Sequence, residues 1–209
     1  MSECPGQTEF IKTHGDYDVL MIDPPWTHAS PGAVRPSDRI DAHYDTMSLD
    51  EIKALPIDDW AARNCVLYLW ATPPLMPEAF EVMKAWRFTF KTSAVWDKEW
   101  IAMGFWFRAQ HELLLVGTRG DASPPEQSLR KSSVFSEKRR EHSRKPDCVR
   151  AYIESCFPDA SRVEVFARKR FPGWDAIGFE IDGKIIGEKP RGNVVQKELK
   201  MFLEEKASG

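Results

Sequence analysis

Cysteine is scarce in this chain of 209 residues: Cys4, Cys65, Cys148 and Cys156 are scattered, with no C-x-x-C pair. That spacing argues against a zinc site and a disulfide framework, and reduced thiols are the expectation. His111 has no ligand-type neighbour at metal spacing, so a structural histidine and no metal are expected. No apolar run approaches the roughly 18 residues that a membrane span requires. The start, Met1-Ser2-Glu3-Cys4-Pro5, has neither the basic segment nor the apolar stretch of a secretory signal, so a cytoplasmic location without a membrane partner is expected. Also missing is an early glycine-rich G-x-G-x-x-G loop, the usual dinucleotide fingerprint.

What is present is a chain 42% hydrophobic and 29% charged, expected to form one domain over residues 1–209 with a substantial core. The net charge of −3 hides an asymmetry: residues 1–59 hold four basic against twelve acidic side chains. The segment from Arg130 to Arg150 is the reverse, with eight basic against three acidic side chains. A local field of this sign attracts phosphates; the alternative is a solvated surface loop.

Asp18-Val19-Leu20-Met21-Ile22 is a continuous apolar run, the pattern of a strand buried on both faces of a parallel sheet. Cys65 to Trp70 repeats it; Phe88 to Trp96, His111 to Gly117 and Arg162 to Ala167 are further strands. Ser48-Leu49-Asp50-Glu51 is a capping box opening a short helix that stops at Pro56. Leu75 to Trp86 has helical apolar spacing, and Pro146 opens a helix carrying Val149, Tyr152, Ile153 and Cys156 on one stripe. Phe179–Ile181 and Lys184–Ile186 flank Asp182-Gly183, a hairpin signal. Residues 192–206 form an amphipathic pattern, expected as a C-terminal helix. Strands alternating with helices predict an α/β sheet covered on both faces.

In such sheets ligands bind beyond the carboxyl ends of the strands. Asp23-Pro24-Pro25-Trp26 stands at such an end, followed by a long lid-like loop, 27–43. Two prolines fix their φ angles and donate no hydrogen bonds, which leaves a rigid turn with carbonyls expected to be free. A carboxylate, a fixed carbonyl and an indole suit a planar group with an exocyclic amine: Asp23 and the Pro24 carbonyl accept its hydrogens while Trp26 stacks on the ring. A plain strand-ending turn with a core tryptophan is the alternative.

These residues are also the basis of a resemblance. Ile22 to Trp26, His43 to Ser48, Gly104 to Glu112, His142 to Asp147, Val165 to Arg168 and Trp174 to Glu180 together resemble, in order, the DPPW-type (β-class) N(6)-adenine methyltransferases. That family includes the catalytic subunit of the eukaryotic messenger-RNA adenosine methyltransferase and bacterial and phage DNA-modifying enzymes. The resemblance implies methyl transfer from S-adenosylmethionine to the 6-amino group of adenine. It also implies a Rossmann-like, mostly parallel sheet with an antiparallel hairpin strand and helices on both faces, with the cofactor segment at Phe166 to Glu180. By the same resemblance, Asp23, Pro24, Pro25 and Trp26 are catalytic, and Tyr44 joins Trp26 in holding the base, a wall residue of the lid being its alternative. Asp23, Lys145, Arg168 and Glu180 face the cofactor, Lys145 at its methionine carboxylate and Glu180 at its ribose hydroxyls. Phe179, before Glu180, departs from the asparagine common in the family.

The segment 130–145 is expected to be a mobile, phosphate-contacting loop in which Arg139 and Arg140 meet the nucleic-acid backbone. Phe105-Trp106-Phe107 suits stacking on unpaired bases, but aromatics beside a strand are more often core. Glu112 is a candidate to line the site. DNA is expected as the partner, without zinc-finger cysteines or a long preceding extension; RNA is the alternative. A non-catalytic nucleic-acid-binding subunit would show a decayed acceptor turn, and cytosine or protein-amide methylation would show serine or asparagine at position 23. A homo- or hetero-oligomer is compatible with the pattern.

Overall fold

Apolar residues that alternate between two faces of one strand need cover on both sides, and the computed structural model shows how this chain provides it. It describes residues 17–27, 46–104, 106–140 and 144–178, with the backbone of 180–181 and 184–185. The central sheet has seven strands in the order β5-β3-β4-β2-β1-β6-β7. They are β1 (Tyr17–Ile22), β2 (Ala61–Ala71), β3 (Thr89–Asp97), β4 (His111–Arg119), β5 (Val134–Ser136), β6 (Arg162–Val165) and β7 (Asp175–Ile177). Only β4 runs against the rest: it pairs antiparallel with β2 and β3, and every other pairing is parallel.

Leu20 and Ile22 of β1 join Leu67 and Leu69 of β2 on one face, covered by Ile52 of α1 (Leu49–Lys53), Ile57 and Trp60 of α2 (Ile57–Trp60), and Ala79, Val82 and Met83 of α3 (Met76–Ala85). Val19 and Met21 join Val66, Tyr68 and Trp70 on the other, covered by Val149 and Ile153 of α4 (Asp147–Cys156). The period-two switch between these clusters is what the continuous apolar runs required. The Ser48–Glu51 capping box forms in full at the start of α1.

The expected α/β class holds, with corrections of detail. The hairpin around Asp182-Gly183 forms as β8 (Glu180–Ile181) and β9 (Lys184–Ile185), but as a separate two-stranded sheet, so the antiparallel strand of the main sheet is β4. β6 ends at Val165, short of Ala167, because Phe166 takes a left-handed φ of 64° that no strand continues through. The segment 130–145 is no plain loop: Val134–Ser136 pairs parallel to Val95–Asp97 as an edge strand. Residues 28–45, including Tyr44, and the expected helix 192–206 lie outside the described residues. Among the described residues no helix is long and apolar enough to cross a membrane.

The fold makes a stability prediction. Ile153 is fully buried between α4 and the sheet, so Ile153→Ala is expected to cost about 2–4 kcal/mol in urea unfolding. A loss well under about 1 kcal/mol would show that α4 does not close this face.

Candidate active site

Parallel strands deliver their carboxyl ends to one rim, and there the chain turns abruptly. After β1 the backbone passes through Asp23 into two prolines. The Trp26 N–H returns to the Pro24 carbonyl at 2.8 Å, closing a γ-turn around Pro25. The Pro25 carbonyl accepts from the Met47 N–H at 2.8 Å, and Trp26 and Met47 form an isolated parallel bridge. The Thr27 hydroxyl lies 2.8 Å from the Met47 carbonyl. The chain leaving the turn and the chain returning at Met47 are therefore stitched together.

Two sequence expectations change here. Neither proline carbonyl is wholly free, since each already accepts one backbone N–H; the second lone pair of Pro24 is what remains for a ligand. Trp26 is a core residue, buried with its indole N–H donating to the Trp70 carbonyl at 3.1 Å. It bolts the turn to the end of β2 and is no open stacking platform.

Asp23 is joined by residues far away in sequence. Lys145, just before α4, places its Nζ 2.7 Å from Asp23 Oδ2 and 3.2 Å from Glu112 Oε2. Glu112, near the start of β4, also takes Lys98 at 2.9 Å through Oε1. The Lys145 ammonium lies 5.5 Å from the Trp70 ring centroid. The side chains of Lys145 and Glu112 are 13% and 16% exposed, while Asp23 keeps 30% open to solvent. Among the described residues only Oδ2 of the Asp23 carboxylate is engaged, so Oδ1 can still accept.

Burial pushes the Asp23 carboxyl above its ordinary range, and the Glu112 charge adds to the rise; Lys145 and Arg168 pull the other way without overcoming it. Lys145 is also desolvated, which works against its charge, yet Asp23 and Glu112 together hold it above the usual lysine value. Burial of Glu112 is outweighed by Lys145 and Lys98, and its carboxyl stays below the ordinary range. The site thus keeps a permanent cation between a firmly ionised carboxylate and one that takes a proton more readily.

A second constrained segment faces the same rim. Phe166 holds its left-handed conformation with Ala167 N–H bonded to the Ile177 carbonyl at 3.0 Å. Gly178 packs so close that a β-carbon there would lie 2.2 Å from the Ala167 carbonyl oxygen. Strain of this kind, of order 1–3 kcal/mol, collects at ligand sites. Arg168 follows on the surface, near enough to influence Asp23.

The chain belongs to the MT-A70 family. The family model matches residues 17–180. A type II methyltransferase of a Mycoplasma species, M.MunI, is 31% identical over 186 residues, covering 81% of this chain and 80% of that protein. An MT-A70-like N(6)-adenosine-methyltransferase of Arabidopsis thaliana is 28% identical, covering 83% of this chain but 25% of its own length. The human N(6)-adenosine-methyltransferase catalytic subunit METTL3 is 27% identical, over 81% of this chain and 29% of its own. The chain thus spans only about a quarter of these plant and animal relatives.

MT-A70 methyltransferases have a Rossmann-like fold and use S-adenosylmethionine. The donor set fits this cofactor, which carries an ammonium, a sulfonium and a carboxylate. Asp23 and Glu112 match the cations; Lys145, with a third N–H beyond its two carboxylate partners, matches the anion. The Trp70 indole N–H and the Thr72 hydroxyl, both buried at the end of β2, have no hydrogen-bond partner among the described residues, so polar atoms there await a ligand or water.

The other expected site residues divide. Lys145 lies beside Asp23, where the resemblance implied that each faces the cofactor. Arg140 is ion-paired to Glu137 at 2.7 Å and Asp147 at 2.8 Å, so its charge is balanced within the chain, and Arg139 lies over the Trp100 ring at 4.8 Å. The backbone of Glu180 pairs with Ile185 in the small sheet. Lys98 was not anticipated. It follows the last residue of β3, and the strand-end rule that picked out Asp23 applies equally to it.

Lys145→Met keeps the aliphatic stem against Trp70 but leaves two facing carboxylates without their shared cation. It is expected to cost about 2–4 kcal/mol in urea unfolding. Adding Asp23→Asn, which leaves the Lys98–Glu112 pair balanced, is expected to recover part of that loss. A double variant no more stable than the single one would contradict this electrostatic account.

Proposed function

We propose that this chain transfers the methyl group of S-adenosylmethionine to the 6-amino group of adenine in DNA. The observation that carries the reading is the half-open Asp23 carboxylate on a proline-locked corner, with Lys145 against one oxygen and the other available. The 6-amino lone pair is delocalised into the purine ring, so the nitrogen is a weak nucleophile. Asp23 Oδ1 and the remaining lone pair of the Pro24 carbonyl accept the two amino hydrogens, which polarises the N–H bonds and favours a pyramidal nitrogen. Bound S-adenosylmethionine supplies an electrophilic methyl on sulfur. Lys145 holds the methionine carboxylate of the cofactor, Arg168 lies beside its ribose, and Glu112 fixes Lys145 in place. Positioning and electrostatics account for the rate, and the raised Asp23 carboxyl suits it to take the proton that the substituted nitrogen releases.

DNA is favoured over RNA because the type II methyltransferase shares most of its length with this chain, and that class name belongs to DNA modification. The relatives named for adenosine share only a segment. An intact acceptor turn tied into a charge network favours an enzyme over a binding subunit. A cytoplasmic location goes with this reading.

The test incubates the chain with methyl-labelled S-adenosylmethionine and either mixed-sequence DNA or RNA, followed by digestion to nucleosides. Label is expected on 6-methyldeoxyadenosine; label only on RNA adenosine would replace the polymer, and label on another base atom would overturn the reading. Asp23→Asn is expected to lose about a hundredfold or more of transfer, with a far smaller change in cofactor affinity by calorimetry. The pH profile has a definite sign. Transfer needs ionised Asp23, so it falls as pH drops through a value above that of an ordinary aspartate. Glu112→Gln removes a charge that raises this value, and the acid limb is expected to move to lower pH. A limb that stays put or moves up would separate Asp23 from the observed titration.

A further inference from the structure

The connection between β3 and β4 is a finger with a built base. Lys98 N–H bonds to the Gln110 carbonyl at 3.0 Å, and Ala102 N–H to the Ala109 carbonyl at 2.7 Å. The Arg108 guanidinium returns to the Ala102 carbonyl at 3.2 Å. At the bend, a β-carbon on Gly104 would lie 2.0 Å from the Phe107 carbonyl oxygen, so the two arms close tightly there. The tip displays large apolar side chains to solvent: Met103 is 86%, Trp106 95% and Phe107 90% exposed. The sequence expectation that aromatics here are core is overturned for Trp106 and Phe107, because the finger extends past the end of the sheet.

Apolar surface this exposed marks a contact site. Three further observations identify the contact. The finger rises from the strands whose ends carry Lys98 and Glu112, so it stands on the same rim as Asp23. Its flank is basic: Arg139 N–H bonds to the Lys98 carbonyl at 3.0 Å, its guanidinium lies 4.8 Å from the Trp100 ring centroid, and the exposed Lys138 adjoins it. Arginine beside aromatic rings suits a polymer that alternates phosphates with planar bases. Finally, a half-buried carboxylate cannot reach an amino group inside a base stack, so the adenine must leave the duplex.

We propose that the finger tip displaying Met103, Trp106 and Phe107 is a wedge that enters the base stack of duplex DNA and occupies the space the target adenine vacates, while Lys138 and Arg139 on its flank hold the adjoining phosphates. This rests on the reading of the Asp23 site as acting on adenine in DNA. A wedge replaces lost stacking with aromatic contact and lowers the cost of extrusion.

The experiment compares the wild-type chain and Trp106→Ala/Phe107→Ala, transferring labelled methyl from S-adenosylmethionine to mixed-sequence plasmid DNA as duplex and after heat denaturation. The variant is expected to lose about ten- to a hundredfold on duplex and far less on the denatured strands, which also shows that it folds. Duplex transfer unchanged, or an equal loss on both forms, overturns the wedge. Wild-type transfer to denatured DNA only overturns the wedge and leaves the adenine reading intact, since no extrusion is then needed; transfer to neither form overturns both. Sedimentation completes the comparison: a wild-type dimer that the substitutions dissociate, with equal loss on both forms, would assign the tip to a second copy of the chain.

Discussion

The Lys145 ammonium lies 2.7 Å from Asp23 and 3.2 Å from Glu112, and the geometry of the rim depends on this shared cation. Asp23 ends β1, Glu112 begins β4, Lys98 follows β3, and Lys145 leads into α4. One buried charge network therefore ties three strands and a helix to a single point. Partly desolvated carboxylates so close together would repel strongly if the cation were absent. With it, Glu112 stays ionised, while Asp23 keeps one oxygen open and a carboxyl that accepts a proton more readily than usual. The arrangement suits a group that must first accept hydrogens and then accommodate a proton.

The proline turn supplies the rigidity that the network alone cannot. Hydrogen bonds from Trp26 to Pro24, from Met47 to Pro25, and from the Trp26 indole to Trp70 lock the backbone that follows Asp23. Because its φ is fixed, each proline loses little further entropy on folding, so the corner is held at small cost. Beside it, the left-handed Phe166 and the close approach of Gly178 to Ala167 form a second stiff element. Two constrained segments thus stand side by side at the carboxyl ends of the paired strands β1 and β6.

Much of this was legible in the chain. Continuous apolar runs marked β1 and β2 because strands buried on both faces show no alternation, and Ser48-Leu49-Asp50-Glu51 announced α1 through its capping chemistry. Asp23 stood out by its place at a strand end. Other features depend on tertiary context. Trp26 looks like a stacking ring in sequence, but the pull of the core and the Trp70 carbonyl decide its orientation. The antiparallel course of β4 is set by its pairing with β2 and β3, which no local pattern encodes. Glu112 was already a candidate to line the site, but Lys98 is an ordinary charge until the sheet brings it beside Glu112, and the aromatics at 106 and 107 could not be told from core residues before the finger was seen to leave the sheet.

In the proposed function the Asp23 corner grips the amino group of adenine. The most direct measurement is a crystal structure of the chain with S-adenosylhomocysteine and an adenine-containing oligonucleotide. The adenine amino nitrogen is expected within hydrogen-bond distance of Asp23, with the cofactor sulfur facing it and Lys145 still against the carboxylates. An adenine bound elsewhere, or a sulfur turned away from the corner, would contradict it.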